Sequence, residues 1–188
     1  YLIDEGSVDY WGDRLDGEGV DYEREQRFDE QVLRFRDPDG IELELVATDA
    51  PSEAAPWADS PVPAAHQLRG FYSVTLAVSD FGPTEDILTD VLGYEFEAER
   101  DGRRRYRSAP GGPGSVVDLV ETDRGRGQMG LGTVHHVAFE AADLDEQAAW
   151  REAYAEAGLQ PSQVLDRKYF QSIYTREPGG ILFEMATP

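Results

Sequence analysis

The chain has 188 residues, of which 40% are apolar, enough for one sizeable core or two small ones. A formal net charge of -21, from 38 acidic residues against 17 basic ones, argues against nucleic acid or an anionic membrane as a partner, since both attract basic surfaces. With no cysteine there is no disulfide framework, thiolate ligand or cysteine nucleophile, so any metal must sit on His, Asp or Glu.

Lys168 is the sole lysine, and the basic residues are otherwise arginines. An acidic surface of this kind suits a salt-rich cytosol, where counter-ions screen its self-repulsion. No apolar run approaches the roughly 20 residues that span a bilayer, and no signal peptide is visible. The reading is a cytoplasmic protein of a halophile. The opening "YLIDEGS" has no initiator Met and looks like the end of a strand running into a helix, which predicts a segment upstream of Tyr1.

In chain order, residues 1–48 read as a βαβββ unit lacking most of its first strand. Its helix lies in "DYWGDRLDGEGV" (Asp9 to Val20), and its last two strands flank a turn at Asp37-Pro38-Asp39-Gly40. Residues 49–68 form a Pro/Ala-rich linker, in which His66 is expected to be an ordinary exposed residue. Residues 69–124 make a second unit, from "GFYSVTLAVSD" to "GSVVDLVE". A third spans 130–188, opening on "TVHHVAFEAAD". Its helix has Asp143 as N-cap with Glu146 three residues on, an apolar stripe of Trp150, Ala153, Tyr154 and Ala157, and Gly158 as its stop.

The units repeat one another. Trp11 and Gly19 match Trp150 and Gly158, while Pro38, Gly40, Ile41 and Glu44 match Pro178, Gly180, Ile181 and Glu184. Two of the three histidines, His135 and His136, are adjacent. Neighbouring strand residues point to opposite faces, so at most one of them faces a given cavity.

This succession of βαβββ units resembles the vicinal oxygen chelate superfamily, which includes glyoxalase I, extradiol dioxygenases and bleomycin-binding proteins. The resemblance implies an α+β fold of tandem units with cup-shaped mixed sheets. The last unit, "TVHHVAF" followed by "DRKYFQSIYTREPGGILFEMAT", is similar to the hydroquinone ring-cleaving dioxygenases, whose members carry four units. In such enzymes Fe(II) is held by two His and one carboxylate, with open positions for the aromatic diol and dioxygen.

The resemblance implies His136 and Glu184 as metal ligands, with the third ligand upstream of Tyr1; Mn, Zn or Ni are the alternative metals. His135 remains the alternative ligand, because sequence does not fix strand register. As the non-ligand it would contact substrate or dioxygen. Arg167 would stabilise a developing oxyanion, and Tyr174 would donate to the substrate oxygen. Phe170 and Phe183 are expected to fill core.

In the first two units Glu44 and Asp118 stand at the Glu184 position, but Ser73 replaces the histidine of the second. Arg27 stands at the Arg167 position and Arg34 at that of Tyr174. These units are expected to form a metal-free relic. The function implied is ring cleavage of a hydroquinone-like or catechol-like substrate. The alternatives are glyoxalase-type lyase or isomerase chemistry, or a metal-free aromatic-binding resistance protein. An exposed apolar face left by an absent unit predicts a two-fold homodimer.

Overall fold

The computed structural model describes all residues except 53, 110 and 126. Three four-stranded sheets account for its strands. In the N-terminal sheet, β1 (Leu2–Ile3), β2 (Tyr22–Arg27), β3 (Glu30–Arg36) and β4 (Glu42–Ala47) are ordered β1-β4-β3-β2, with helix α1 (Val8–Gly17) following β1. The middle sheet is ordered β5-β8-β7-β6, from β5 (Ser73–Val78), β6 (Glu95–Arg100), β7 (Arg103–Arg107) and β8 (Val116–Glu121). Helix α2 (Phe81–Asp86), widening into a π turn at Ile87–Val91, crosses from β5 to β6. The C-terminal sheet joins β9 (Val137–Glu140), β10 (Leu165–Asp166), β11 (Gln171–Arg176) and β12 (Leu182–Ala186) as β10-β11-β12-β9, with helix α3 (Leu144–Glu156) after β9.

Each outer sheet mixes one parallel pair with antiparallel ones: β1 runs parallel to β4, and β9 to β12. The helix between the first two strands is the crossover that a parallel pair requires. Two compact bodies result, one of residues 1–74, 107–117 and 130–132, the other of 75–106, 118–129 and 133–188.

Alternation along the strands gives the N- and C-terminal sheets two faces, one of them turned to its helix. In the N-terminal sheet Ile3, Leu33, Leu45 and Ala47 pack with Val8 and Leu15 of α1, while Leu2, Val32 and Val46 on the other face pack with Tyr72 and Val116. The same alternation in the C-terminal sheet sends Ile173, Phe183 and Met185 into the core, all nearly inaccessible. Phe139 meets Phe183 edge to face at 5.0 Å. Phe183 is therefore core, as expected, whereas Phe170 is exposed because it lies in the turn between β10 and β11 and not on a strand.

Helix α3 forms where its signals place it. The Asp143 carboxylate accepts from Glu146 N at 2.9 Å, and Gly158, at φ +81°, closes the C-terminus in the left-handed region. Gln147, buried on the inner face, donates to the carbonyls of Gln171 and Met185 at 2.9 Å each and so ties the helix to β11 and β12. His66 departs from its expected exposure. A short 3-10 turn at Ala64–His66 lays its ring half-buried on α1, stacked on Tyr10 at 4.2 Å, with Nδ1 2.8 Å from Ser7 Oγ. Composition marked the segment as irregular but carried no trace of this packing.

Candidate metal and active site

The cross-strand pairs assemble the site. Tyr174 on β11 pairs with Glu184 on β12, and Glu184 pairs with Ala138 on β9. His136, in the segment just before β9, reaches the same carboxylate. Adjacent His135 is exposed. The side opposite the α3 core therefore carries one phenol on β11 and one carboxylate on β12, joined by an imidazole from the segment that enters β9.

The distances are short. His136 Nε2 lies 2.6 Å from Glu184 Oε2, and the Tyr174 hydroxyl donates to Glu184 Oε1 at 2.5 Å. Glu184 is 3% exposed, so its carboxylate has left water almost completely and relies on these two neighbours. The His136 and Tyr174 rings meet edge to face at 5.8 Å. His135 Nδ1 approaches His136 Nδ1 at 2.8 Å and so sits on the outer side of the imidazole. Arg167 stands over the Tyr174 ring, its Cζ 5.2 Å from the centroid, and its Nε donates to Ser172 Oγ at 3.3 Å.

All five residues singled out in the sequence thus lie together, with His136 rather than His135 on Glu184. The Tyr174 hydroxyl, expected to donate to a substrate oxygen, here donates to the Glu184 carboxylate. Ser172, fully buried beneath Arg167, was not singled out, although its spacing of two from Tyr174 marks the same strand face.

An imidazole and a carboxylate braced by a phenol are donor types suited to a first-row divalent ion, and in this structure the two meet directly as a hydrogen-bonded pair at 2.6 Å. Among the described residues no group of three His, Cys, Asp or Glu side chains gathers. By donor type the two residues could supply two ligands to such an ion.

Parallel-crossover βαβββ units with an open sheet face bearing a His–Glu pair define a protein of the glyoxalase and dioxygenase class. The chain belongs to the Glyoxalase/Bleomycin resistance protein/Dioxygenase superfamily, whose pattern matches residues 70–185. It is 41% identical over 187 residues to a Bacillus subtilis protein named "Putative ring-cleaving dioxygenase MhqO", covering 100% of this chain and 59% of the relative. It is 36% identical to a chlorohydroquinone/hydroquinone 1,2-dioxygenase of Sphingobium indicum, covering 95% of this chain and 58% of the relative.

A crystal structure from the same Bacillus strain superposes with a TM-score of 0.93 at 41% identity, over 100% of this chain and 60% of that one. A maize glyoxalase I mutant shares the fold alone, at 18% identity and a TM-score of 0.66 over 99% of this chain. The chain spans about three-fifths of the length of the curated relatives it matches. No helix among the described residues is long and apolar enough to cross a membrane.

Proposed function

We propose that this chain is the metal-bearing part of a ring-cleaving dioxygenase acting on a hydroquinone-like or catechol-like aromatic. The observation that carries the reading is the His136–Glu184 pair at 2.6 Å, braced by Tyr174, on the open face of the last sheet. His136 and Glu184 would hold Fe(II), with a third ligand from a segment outside these 188 residues. A bound Fe(II) would supply open positions where an aromatic diol and dioxygen meet.

The chain's own residues would do the rest. Tyr174, by holding Glu184 Oε1, leaves the other carboxylate oxygen aimed at His136 and fixes the geometry of the pair. Arg167, held over the Tyr174 ring, places a fixed positive charge beside the site, where it stabilises an ionised phenolic oxygen. His135, exposed and with Nδ1 2.8 Å from His136 Nδ1, would take or return a proton at the substrate oxygen. The halophilic and cytoplasmic assignments, and a two-fold dimer, belong to the same proposal. Support for the dimer is the exposed apolar rim of the last unit, with Tyr169 83%, Val134 64% and Val164 46% accessible.

The test is oxygen uptake by the Fe(II)-loaded full-length protein with a substituted hydroquinone, beside glutathione hemithioacetal isomerisation. Stoichiometric oxygen consumption that Glu184→Ala abolishes is the expected result. Isomerase turnover without oxygen uptake would move the protein to the glyoxalase branch, and binding without turnover to the aromatic-binding one.

A further inference from the structure

Several arginines of this acidic chain are neutralised where they stand: Arg24 holds Asp9, Arg27 and Arg34 share Glu25, and Arg104 holds Glu85 and Glu99. Arg167 is treated differently. Its Nε donates to the neutral hydroxyl of Ser172 at 3.3 Å, its Cζ stands 5.2 Å from the centroid of the Tyr174 ring, and among the described residues it forms no ion pair. Ser172 is fully buried and shares the face of β11 that carries Tyr174, whose hydroxyl holds Glu184. A buried neutral tether fixes the guanidinium beside the candidate site without cancelling its charge, and leaves both Nη groups as donors for something else.

The next residue adds a second cation at a conformational cost. Lys168 is the sole lysine of the chain, and its φ of +75° lies in the left-handed region that favours glycine. The turn holds it there: Arg167 N donates to Phe170 O at 2.9 Å, and Lys168 N to Asp166 Oδ1 at 2.7 Å. Its Nζ stands 5.5 Å from the centroid of the exposed Tyr169 ring and, among the described residues, forms no ion pair. Backbone strain of this kind persists where the surroundings fix it, and it collects at ligand contacts. In a chain of net charge -21, two adjacent cations spared from ion pairing set a local positive potential that attracts an anion.

We propose that Arg167 and Lys168 form an anion subsite at the rim of the candidate site, and that the aromatic taken there is a hydroquinone with a carboxylate next to one of its hydroxyls. The inference rests on the reading of this face as the seat of an aromatic diol. A hydroxyl and a carboxylate on neighbouring ring carbons present their oxygens along one edge, which a planar guanidinium meets with two parallel N–H groups. Lys168 brings a second charge to the same edge on a flexible stem. The subsite thus sets which diol is taken, while His136 and Glu184 set what is done to it.

Calorimetric titration of the full-length protein, without oxygen and in molar KCl, tests it by comparing gentisate, a hydroquinone with a carboxylate beside one hydroxyl, with its neutral primary amide. At that salt the distant acidic surface is screened, so the ratio of the two dissociation constants reads local contacts. The acid is expected to bind about tenfold more tightly than the amide. That ratio should fall to about one in Arg167→Gln and by about threefold in Lys168→Gly, which fits the left-handed backbone and so keeps the turn, whereas Lys168→Arg should preserve it. A wild-type ratio near one, or a preference for the acid that survives Arg167→Gln or Lys168→Gly undiminished, would overturn the proposal. Preference for the acid without oxygen uptake would leave the subsite standing and remove the dioxygenase reading. Oxygen uptake with an unsubstituted hydroquinone and no preference for the acid would do the reverse, and binding of neither ligand would remove both.

Discussion

Glu177 opens the turn between β11 and β12, the two strands that carry Tyr174 and Glu184. Its carboxylate is 2% exposed and accepts from three donors: Thr84 Oγ1 at 2.7 Å, Gly179 N at 2.8 Å and Ile181 N at 2.7 Å. Thr84, on α2, is itself fully buried, and Gly179 is required there because an added Cβ would stand 2.6 Å from Thr84 Oγ1. Glu177→Ala leaves all three donors without their acceptor.

A hydrogen bond to a charged group contributes about 1.5–3 kcal/mol, and a buried donor left bare costs about 1–3 kcal/mol. The two backbone donors lie in a half-buried turn that water can reach, so only Thr84 bears the full penalty. The sum is roughly 3–5 kcal/mol, or about 10 °C in melting temperature for a domain of this size. Thermal and urea unfolding of Glu177→Ala measures it, and Thr84→Val on that background should add little because its partner is already gone. A loss under about 1 kcal/mol for Glu177→Ala, or additive effects of the two changes, would refute this account of the turn.

Tyr174→Phe removes the donor on Glu184 Oε1, so the full-length protein should bind Fe(II) roughly 10–100-fold more weakly; unchanged affinity with reduced turnover would assign the hydroxyl to substrate alone. Melting temperature should rise steeply from low to molar KCl as repulsion among the excess carboxylates is screened, and a flat response would count against a halophilic protein. Glu25 feels burial, which raises its pKa, but hydrogen bonds from Arg34 and Arg27 outweigh this and hold it below the usual glutamate range. A carboxyl depressed in the folded state adds stability above its unfolded pKa and loses it as pH falls through the folded value. The stability difference between wild type and Glu25→Gln should therefore be present at neutral pH and vanish on acidification below the ordinary glutamate range; a difference constant down to strong acid would contradict the pairing.

The sequence repeats carried most of the site. A strand's two-residue period places Glu184 and Tyr174 on one face once the strands are aligned through Gly180 and Ile181. It cannot say which histidine of the pair faces them, because a one-residue slip exchanges the two; in the structure it is His136 that meets Glu184. The Glu177–Thr84 bond joins residues 93 apart through a helix with no motif of its own, so nothing local announces it. His66 was misread for a related reason: Pro and Ala predict an irregular path but not the surface on which that path lies. Phe170 reads as core by hydrophobicity, yet the tight β10–β11 turn holds it out.

We propose that His136 and Glu184 hold a catalytic metal ion. Iron content of the full-length protein, purified without oxygen, tests it most directly when wild type is compared with His136→Ala, Glu184→Ala and His135→Ala. About one iron per chain is expected in wild type, near-complete loss in the first two variants, and retained iron with impaired turnover in His135→Ala. Iron kept in His136→Ala and lost in His135→Ala would contradict it, as would iron retained in Glu184→Ala.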